Sequence, residues 1–206
     1  MIPIPKYLKP YAELKKGKNY TTAVFSMKCS CGNEVFNVLV NYLTPDEKKA
    51  LQLYYDIINQ LTGPFTKRGE DGNPEVLWRT EDGEMVSYES LQPLKPYYAG
   101  INVLKAKCPV CGEEILLFDN RICGYDGVTE EHTEERMSYE PHFKQKGKTS
   151  IKIEITIEND PSLDAFKDAT GIDCKEDFYS EAFSWIVIHG IDPTGKKKKI
   201  YENETA

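Results

Sequence analysis

Two short segments carry the chain's most evident chemistry: Cys29-Ser30-Cys31-Gly32 and Cys108-Pro109-Val110-Cys111-Gly112. Four thiolates are the donor set of a tetrahedral zinc site, with each sulfur about 2.3 Å from the ion. A pair of close cysteines can instead act as a redox couple or enter disulfides. The sequence separates these chemistries only in part. A redox Cys-x-x-Cys opens a helix after a strand, whereas Cys111 runs into Gly-Glu-Glu-Ile-Leu-Leu-Phe, which reads as strand. Disulfides and unrelated thiols stay open, although a reducing compartment favours metal ligands or buried thiols.

Each pair ends in glycine, and glycine allows the positive φ that turns backbone amides toward sulfurs. A hairpin bend would bring the two sulfurs of a pair together. Cys108-Pro-Val-Cys111-Gly112 is the more specific half, because Cys29-Ser-Cys31 is shorter than the usual spacing of two to four residues. The remaining cysteines, Cys123 and Cys174, read as small apolar residues. Cys123 is also the substitute ligand should the short first pair fail.

These motifs resemble the zinc-ribbon class, in which two cysteine knuckles on β-hairpins share one metal. The chain as a whole resembles a bacterial zinc-ribbon protein. The resemblance covers the knuckles and their flanking strands. It implies one structural zinc ion per chain on Cys29, Cys31, Cys108 and Cys111, and it implies no activity. Between the pairs lie 108 − 31 − 1 = 76 residues, far more than a compact ribbon holds.

The elements that must position these cysteines are legible in outline. Tyr20 to Met27 and Glu34 to Leu43 read as strands around the first pair, and Ala99 to Lys107 and Glu113 to Arg121 around the second. Thr44-Pro45-Asp46-Glu47 is a helix start, with Thr at the N-cap, Pro at N1 and Glu at N3. Ala50, Leu51, Leu53, Tyr54, Ile57, Ile58 and Leu61 follow at helical spacing and predict a core-facing stripe ending at Gly63-Pro64. Residues 63–75 read as a polar loop. Val76 to Arg79 and Glu84 to Tyr88 read as a hairpin around Asp82-Gly83. Residues 128–149 read as a long loop or internal boundary.

Ile151 to Ile157 alternates as a half-buried strand. Asp160-Pro161 opens a predicted short helix to Thr170. Phe183 to Ile191 and Lys197 to Glu202 form a last predicted hairpin. The sum is a single α+β domain, mostly antiparallel sheet, with an embedded zinc-ribbon-like pair of β-hairpins and two or three helices. Its ribbon-like portion spans about 20–127, interrupted by a helix–hairpin insert at 44–98, and an αβ portion covers about 148–206.

The segment after the second knuckle, Asp119-Asn-Arg121-Ile-Cys-Gly-Tyr125-Asp126-Gly127, has turn chemistry around an aromatic. One reading is a strand end with Asp119 and Arg121 as a surface ion pair. The other is a ligand or partner loop using Asp119, Arg121, Tyr125 and Asp126. His132 and His142 could join a second metal site, while His189 reads as a satisfied core histidine. No P-loop, G-x-G-x-x-G, G-x-S-x-G or H-E-x-x-H motif occurs, so a binding role is favoured over catalysis.

The 206 residues carry a net charge of −7, which argues against broad nucleic-acid binding. The charge is uneven: residues 1–28 hold six lysines against one glutamate, and residues 113–140 nine acids against two arginines. The longest apolar runs are four residues, such as Ile115 to Phe118, far below the roughly 20 of a membrane span. The first 18 residues lack the apolar core of a signal peptide. The expectation is a cytoplasmic zinc protein that binds an unidentified protein partner. A nucleic-acid-associated role and a hydrolase using Asp119 to Asp126 are the alternatives.

Overall fold

The computed structural model describes residues 7–17, 22–69, 72–91, 94–121, 130–158 and 185–204. In chain order the strands begin with β1 (Ala12–Gly17), β2 (Thr22–Met27), β3 (Val35–Tyr42), β4 (Thr62–Arg68), β5 (Pro74–Arg79) and β6 (Met85–Ser87). They continue with β7 (Val103–Lys107), β8 (Glu114–Asp119), β9 (His142–Glu158), β10 (Trp185–Ile191) and β11 (Lys197–Glu204). The helices are α1 (Pro45–Asn59), the single turn α2 (Tyr88–Leu91) and α3 (Glu130–Ser138). The fold is α+β and mostly antiparallel, as the alternation of short patterned segments predicts. Two compact units divide it: Met1–Tyr42, Ile101–Gly127 and Phe143–Ala206 form one, and Leu43–Gly100 with Val128–His142 the other.

The first unit is one sheet in the order β1-β2-β9-β3-β7-β8, with β10 also on β9 and β11 on β10. The long β9 organises it. β2 pairs with β9 from Thr22↔Glu158 to Ser26↔Glu154, and β10 pairs with it from Trp185↔Glu158 to Ile191↔Lys152. β3 is a further neighbour; Ser150 Oγ donates to Asn37 Oδ1 at 2.8 Å and Lys152 meets Glu34 at 2.8 Å. Period-two alternation drives one face into a core: Ala23, Phe25 and Met27 of β2, Phe36 and Val38 of β3, and Ile153, Ile155 and Ile157 of β9. Each of these side chains larger than alanine contributes about 1.5–3 kcal/mol of burial. Ile186, Ile188, Ile115 and Leu117 complete the layer.

Glu154 lies among these isoleucines in sequence and is only 6% exposed, held by Lys15 at 2.8 Å and by Lys197. Burial alone would push its carboxyl up, but the hydrogen bonds from Lys15 and Lys197 outweigh it and hold it below the ordinary carboxylate value. A lowered folded-state pKa gives stability that is present above the unfolded value and lost as pH falls through the folded one. Glu154→Gln should therefore cost about 1–2 kcal/mol near neutrality, the lysines being half exposed. The gap to wild type in urea melts should close below the ordinary value of 4.5. A gap independent of pH would show that packing, not charge, is at stake.

The second unit contains α1, α3 and the antiparallel sheet β4-β5-β6. Thr44 and Glu47 form the capping box, with the Glu47 amide donating to Thr44 Oγ1 at 3.3 Å and the Thr44 amide to Glu47 Oε2 at 2.6 Å. Tyr139 after α3 donates its hydroxyl to Glu47 Oε1 at 2.8 Å, and Arg136 donates to the carbonyls of Tyr97 and Ala99, each at 3.0 Å.

Several expectations need correction here. The apolar stripe of α1 is not core: no residue of the helix is buried, and Leu53 and Ile57 are 57% and 43% exposed. Periodicity reports an amphipathic helix, not the surface it rests on. Leu53→Gln should accordingly change stability by no more than about 0.5 kcal/mol in chemical denaturation; a loss of about 2–5 kcal/mol would mark a core position. The polar stretch 63–75 forms β4 and its turn into β5, from Thr62↔Arg79 to Arg68↔Pro74. The stretch 128–149, read as a long loop or an internal boundary, is not a loop, since it contains α3 and the first half of β9; the limits between the two units do fall at its start and within it. β1 was not visible in the sequence at all. The predicted helix at 160–170 and the start of the predicted strand at 183–184 lie outside the described residues.

Candidate metal centre

β2 ends at Met27 and β3 resumes at Val35, and the first knuckle fills the interval. Its bend is closed by the Cys29 amide donating to the Asn33 carbonyl at 2.8 Å and the Gly32 amide to the Cys29 carbonyl at 2.8 Å. The second knuckle repeats this between β7 and β8. The Cys108 amide donates to the Glu113 carbonyl at 2.8 Å, and the Gly112 amide to the Cys108 carbonyl at 3.0 Å. Gly32 and Gly112 have φ of 88° and 80°. A Cβ at either would meet nothing within 4 Å, so dihedral, not space, requires glycine there.

Pairing of β3 with β7, from Asn37↔Lys107 to Val40↔Leu104, sets the knuckles side by side. Cys29 Sγ lies 3.4 Å from Cys111 Sγ, and Cys31 Sγ 3.6 Å from Cys108 Sγ. All four sulfurs fall within 4.8 Å of one another, and all four thiols are free. A tetrahedron with 2.3 Å metal–sulfur bonds has edges of about 3.8 Å. Four cysteines so placed could hold one metal ion.

Backbone donors reinforce that fit. Cys29 receives one from Cys31, Cys31 from Asn33, Cys111 from Glu113, and Cys108 from both Cys111 and Val110. Burial works against ionising Cys108, yet its backbone donors and neighbouring sulfurs bring the thiol down to about 6. Cys29, by contrast, is pushed up to about 11 by burial and by its contact with Glu113. The set thus contains a ready thiolate, the form that binds metal. Cys29 and Cys108 are buried, while Cys31 and Cys111 face solvent.

A carboxylate beside the sulfurs ties the two knuckles together. Glu113 Oε2 accepts from Ser30 Oγ and, at 3.0 Å, from the Cys29 thiol, and its Oε1 accepts from the Tyr11 hydroxyl at 2.8 Å. Those bonds, Ser30 foremost, hold the Glu113 carboxyl down to about 2. Asn33 Nδ2 donates across to Cys108 Sγ at 3.4 Å and also to the Val35 carbonyl. Sequence reasoning missed Tyr11, Ser30, Asn33 and Glu113. Only their adjacency to the knuckles, for three of the four, could have drawn notice.

Compared with protein-family models, with curated proteins and with solved structures, the chain gives no match. The site is therefore read from its own geometry.

Among the other singled-out residues, Asp119 and Arg121 face one another. Arg121 Nη2 reaches Asp119 Oδ2 at 2.6 Å and Nε reaches Oδ1 at 2.9 Å, with the side chains 14% and 6% exposed. The pair anticipated at the surface is largely withdrawn from it, with Asp119 buried and Arg121 partly so. Tyr125, Asp126, Cys123 and Cys174 lie outside the described residues. His142 is exposed, and among the described residues the four cysteines are the one ligand-type group close enough to share an ion. His189 reads in the sequence as a satisfied core histidine; among the described residues its buried Nδ1 has no hydrogen-bond partner. Burial, then Lys197, holds its pKa below the ordinary value. No helix among the described residues is long and apolar enough to cross a membrane.

Proposed function

We propose that Cys29, Cys31, Cys108 and Cys111 bind one zinc ion per chain, and that this ion is structural, as in the zinc-ribbon class. The carrying observation is the approach of four sulfurs from two knuckles to within 4.8 Å. Zinc with four cysteine thiolates has no open position for water, unlike a catalytic zinc with three protein ligands. The ion would supply cohesion, fixing two hairpins whose cysteines are far apart in sequence. Glu113, Ser30 and Asn33 orient the knuckles from outside the ligand set, the usual work of groups behind a metal's ligands. The chain then acts as a cytoplasmic binding module, with its surface and not the metal meeting the partner.

Elemental analysis of protein purified without added metal tests this. One zinc per chain is expected, retained in Cys123→Ser and Cys174→Ser. Iron in its place would keep the site but change the ion, since four thiolates suit both. A folded, metal-free protein that takes up no zinc would end the proposal.

A further inference from the structure

A second feature of the first unit has a chemistry of its own. A cavity of about 570 Å³ lies beside Gly147 of β9 and the turn between β10 and β11, within the roughly 300–1,000 Å³ of small-ligand sites. Its floor is apolar: Val38, Ile151, Gly190 and Ile200. A Cβ on Gly190 would stand 2.4 Å from Ile151 Cδ1 and 3.0 Å from Ile200 Cδ1, so the bare glycine lets the two isoleucines close into one surface.

The rim is cationic. Lys146, Lys196, Lys198 and Lys199 border the cavity against a single acid, Asp192, giving 4 − 1 = +3. Asp192 Oδ1 is already engaged by the amides of Thr194 and Lys196 and by the Thr194 hydroxyl. Lys146 Nζ is aimed by a 3.0 Å bond to the Ile200 carbonyl, which leaves its charge uncompensated. Lys199 meets Glu202, reducing the local charge to +2, while Lys196 and Lys198 have no carboxylate partner among the described residues. Such a patch stands out on a chain of net charge −7.

We propose that this cavity binds a nucleotide unit, its base on the Val38–Ile151–Gly190–Ile200 floor and its phosphate on the lysine rim. An apolar surface beside cations matches a ligand, such as a nucleotide, that joins an apolar planar face to an anion. An acidic peptide offers the anion without the planar face, and inorganic phosphate leaves the floor bare. Thr149, also on the wall, gives a hydroxyl for a base edge. The unit can come from a free nucleoside phosphate or from a single strand, whose backbone is usually tracked by a positively charged groove. A duplex conceals its base faces and is not a ligand for this site. The proposal extends the reading of the chain as a binding module but does not depend on the zinc.

The test measures binding of fluorescent decathymidylate, ATP, tripolyphosphate and a short DNA duplex at about 50 mM salt, where phosphate contacts are strong. ATP, decathymidylate or both should bind, and tripolyphosphate and duplex should bind at least about tenfold more weakly, a factor worth about 1.4 kcal/mol. For the strand, two to three phosphate contacts predict a log–log salt slope of about −1.4 to −2.1. Lys196→Glu with Lys198→Glu should weaken binding at least about tenfold, with zinc content and melting unchanged. Lys48→Glu with Lys49→Glu, exposed on α1, should leave it intact. ATP alone would identify a free nucleotide as the ligand, and decathymidylate alone a strand. No binding of either overturns the proposal. So does tripolyphosphate or duplex binding equally well, or an equal loss in the α1 variant. Zinc content measured on the same samples keeps failure here separate from failure of the metal assignment.

Discussion

Cys108→Ser is expected to empty the metal site and lower the melting temperature by roughly 6–16 °C. Zinc in small fingers is worth about 10–16 kcal/mol because little else holds them. Here an isoleucine-rich sheet core shares the task, so a loss of about 3–4 kcal/mol is the expected fraction. At about 2–4 °C per kcal/mol for a chain of this size, that gives the stated range. Cys108 is the sharpest choice because it is fully buried and draws two backbone donors in the second knuckle. The serine protein should remain folded in its core, with its strand amides still protected. Zinc retained at one per chain, or an unchanged melt, would show that Cys108 is no ligand.

Asp119→Ala should be equally damaging for a different reason. The carboxylate forms a bidentate bridge to Arg121, and neither side chain is more than 14% exposed. Removing Asp119 takes from Arg121 its bidentate acceptor in a largely buried setting, and breaking such a pair costs about 3–5 kcal/mol. Replacing both can be close to neutral, so Asp119→Ala with Arg121→Leu should recover most of the loss. Calorimetry on the two variants decides between roles. A stable Asp119→Ala protein would free the carboxylate for ligand or catalytic work, which the bridge as observed argues against.

The sequence made the four-cysteine cluster legible because cysteine spacing and a following glycine are local signals. The same holds for the capping box at Thr44 and for the Ile153-Ile155-Ile157 alternation. What escaped was nonlocal. Leu53 and Ile57 carry the right period for a core stripe, yet periodicity cannot say whether a second surface arrives. β4 was hidden because Gly63, Pro64, Lys67 and Arg68 outweigh the strand signal of Phe65 and Thr66. The first half of β9 alternates poorly since most of its side chains are exposed. β1 is a polar edge strand with a register shift at Leu14/Lys16, a type that sequence patterns describe poorly. Glu113 could be named only once strand pairing had set it beside Ser30 and Tyr11.

The pairing of Thr22 with Glu158 also has a consequence for biosynthesis. At about 5–20 residues per second, the 158 − 22 = 136 residues added after Thr22 up to Glu158 take roughly 7–27 s to be translated. Until β9 emerges, β2 has β1 on one side but lacks its second partner in the sheet, and the first cysteine pair waits for the second, whose Cys108 comes 77 residues after Cys31. Nascent chains therefore hold exposed strand edges and two unligated thiols together on the ribosome. The first unit can close only late, from contacts of high sequence separation, which are slow to form. Metal cannot be loaded on the complete four-sulfur site before Cys111 is free of the exit tunnel.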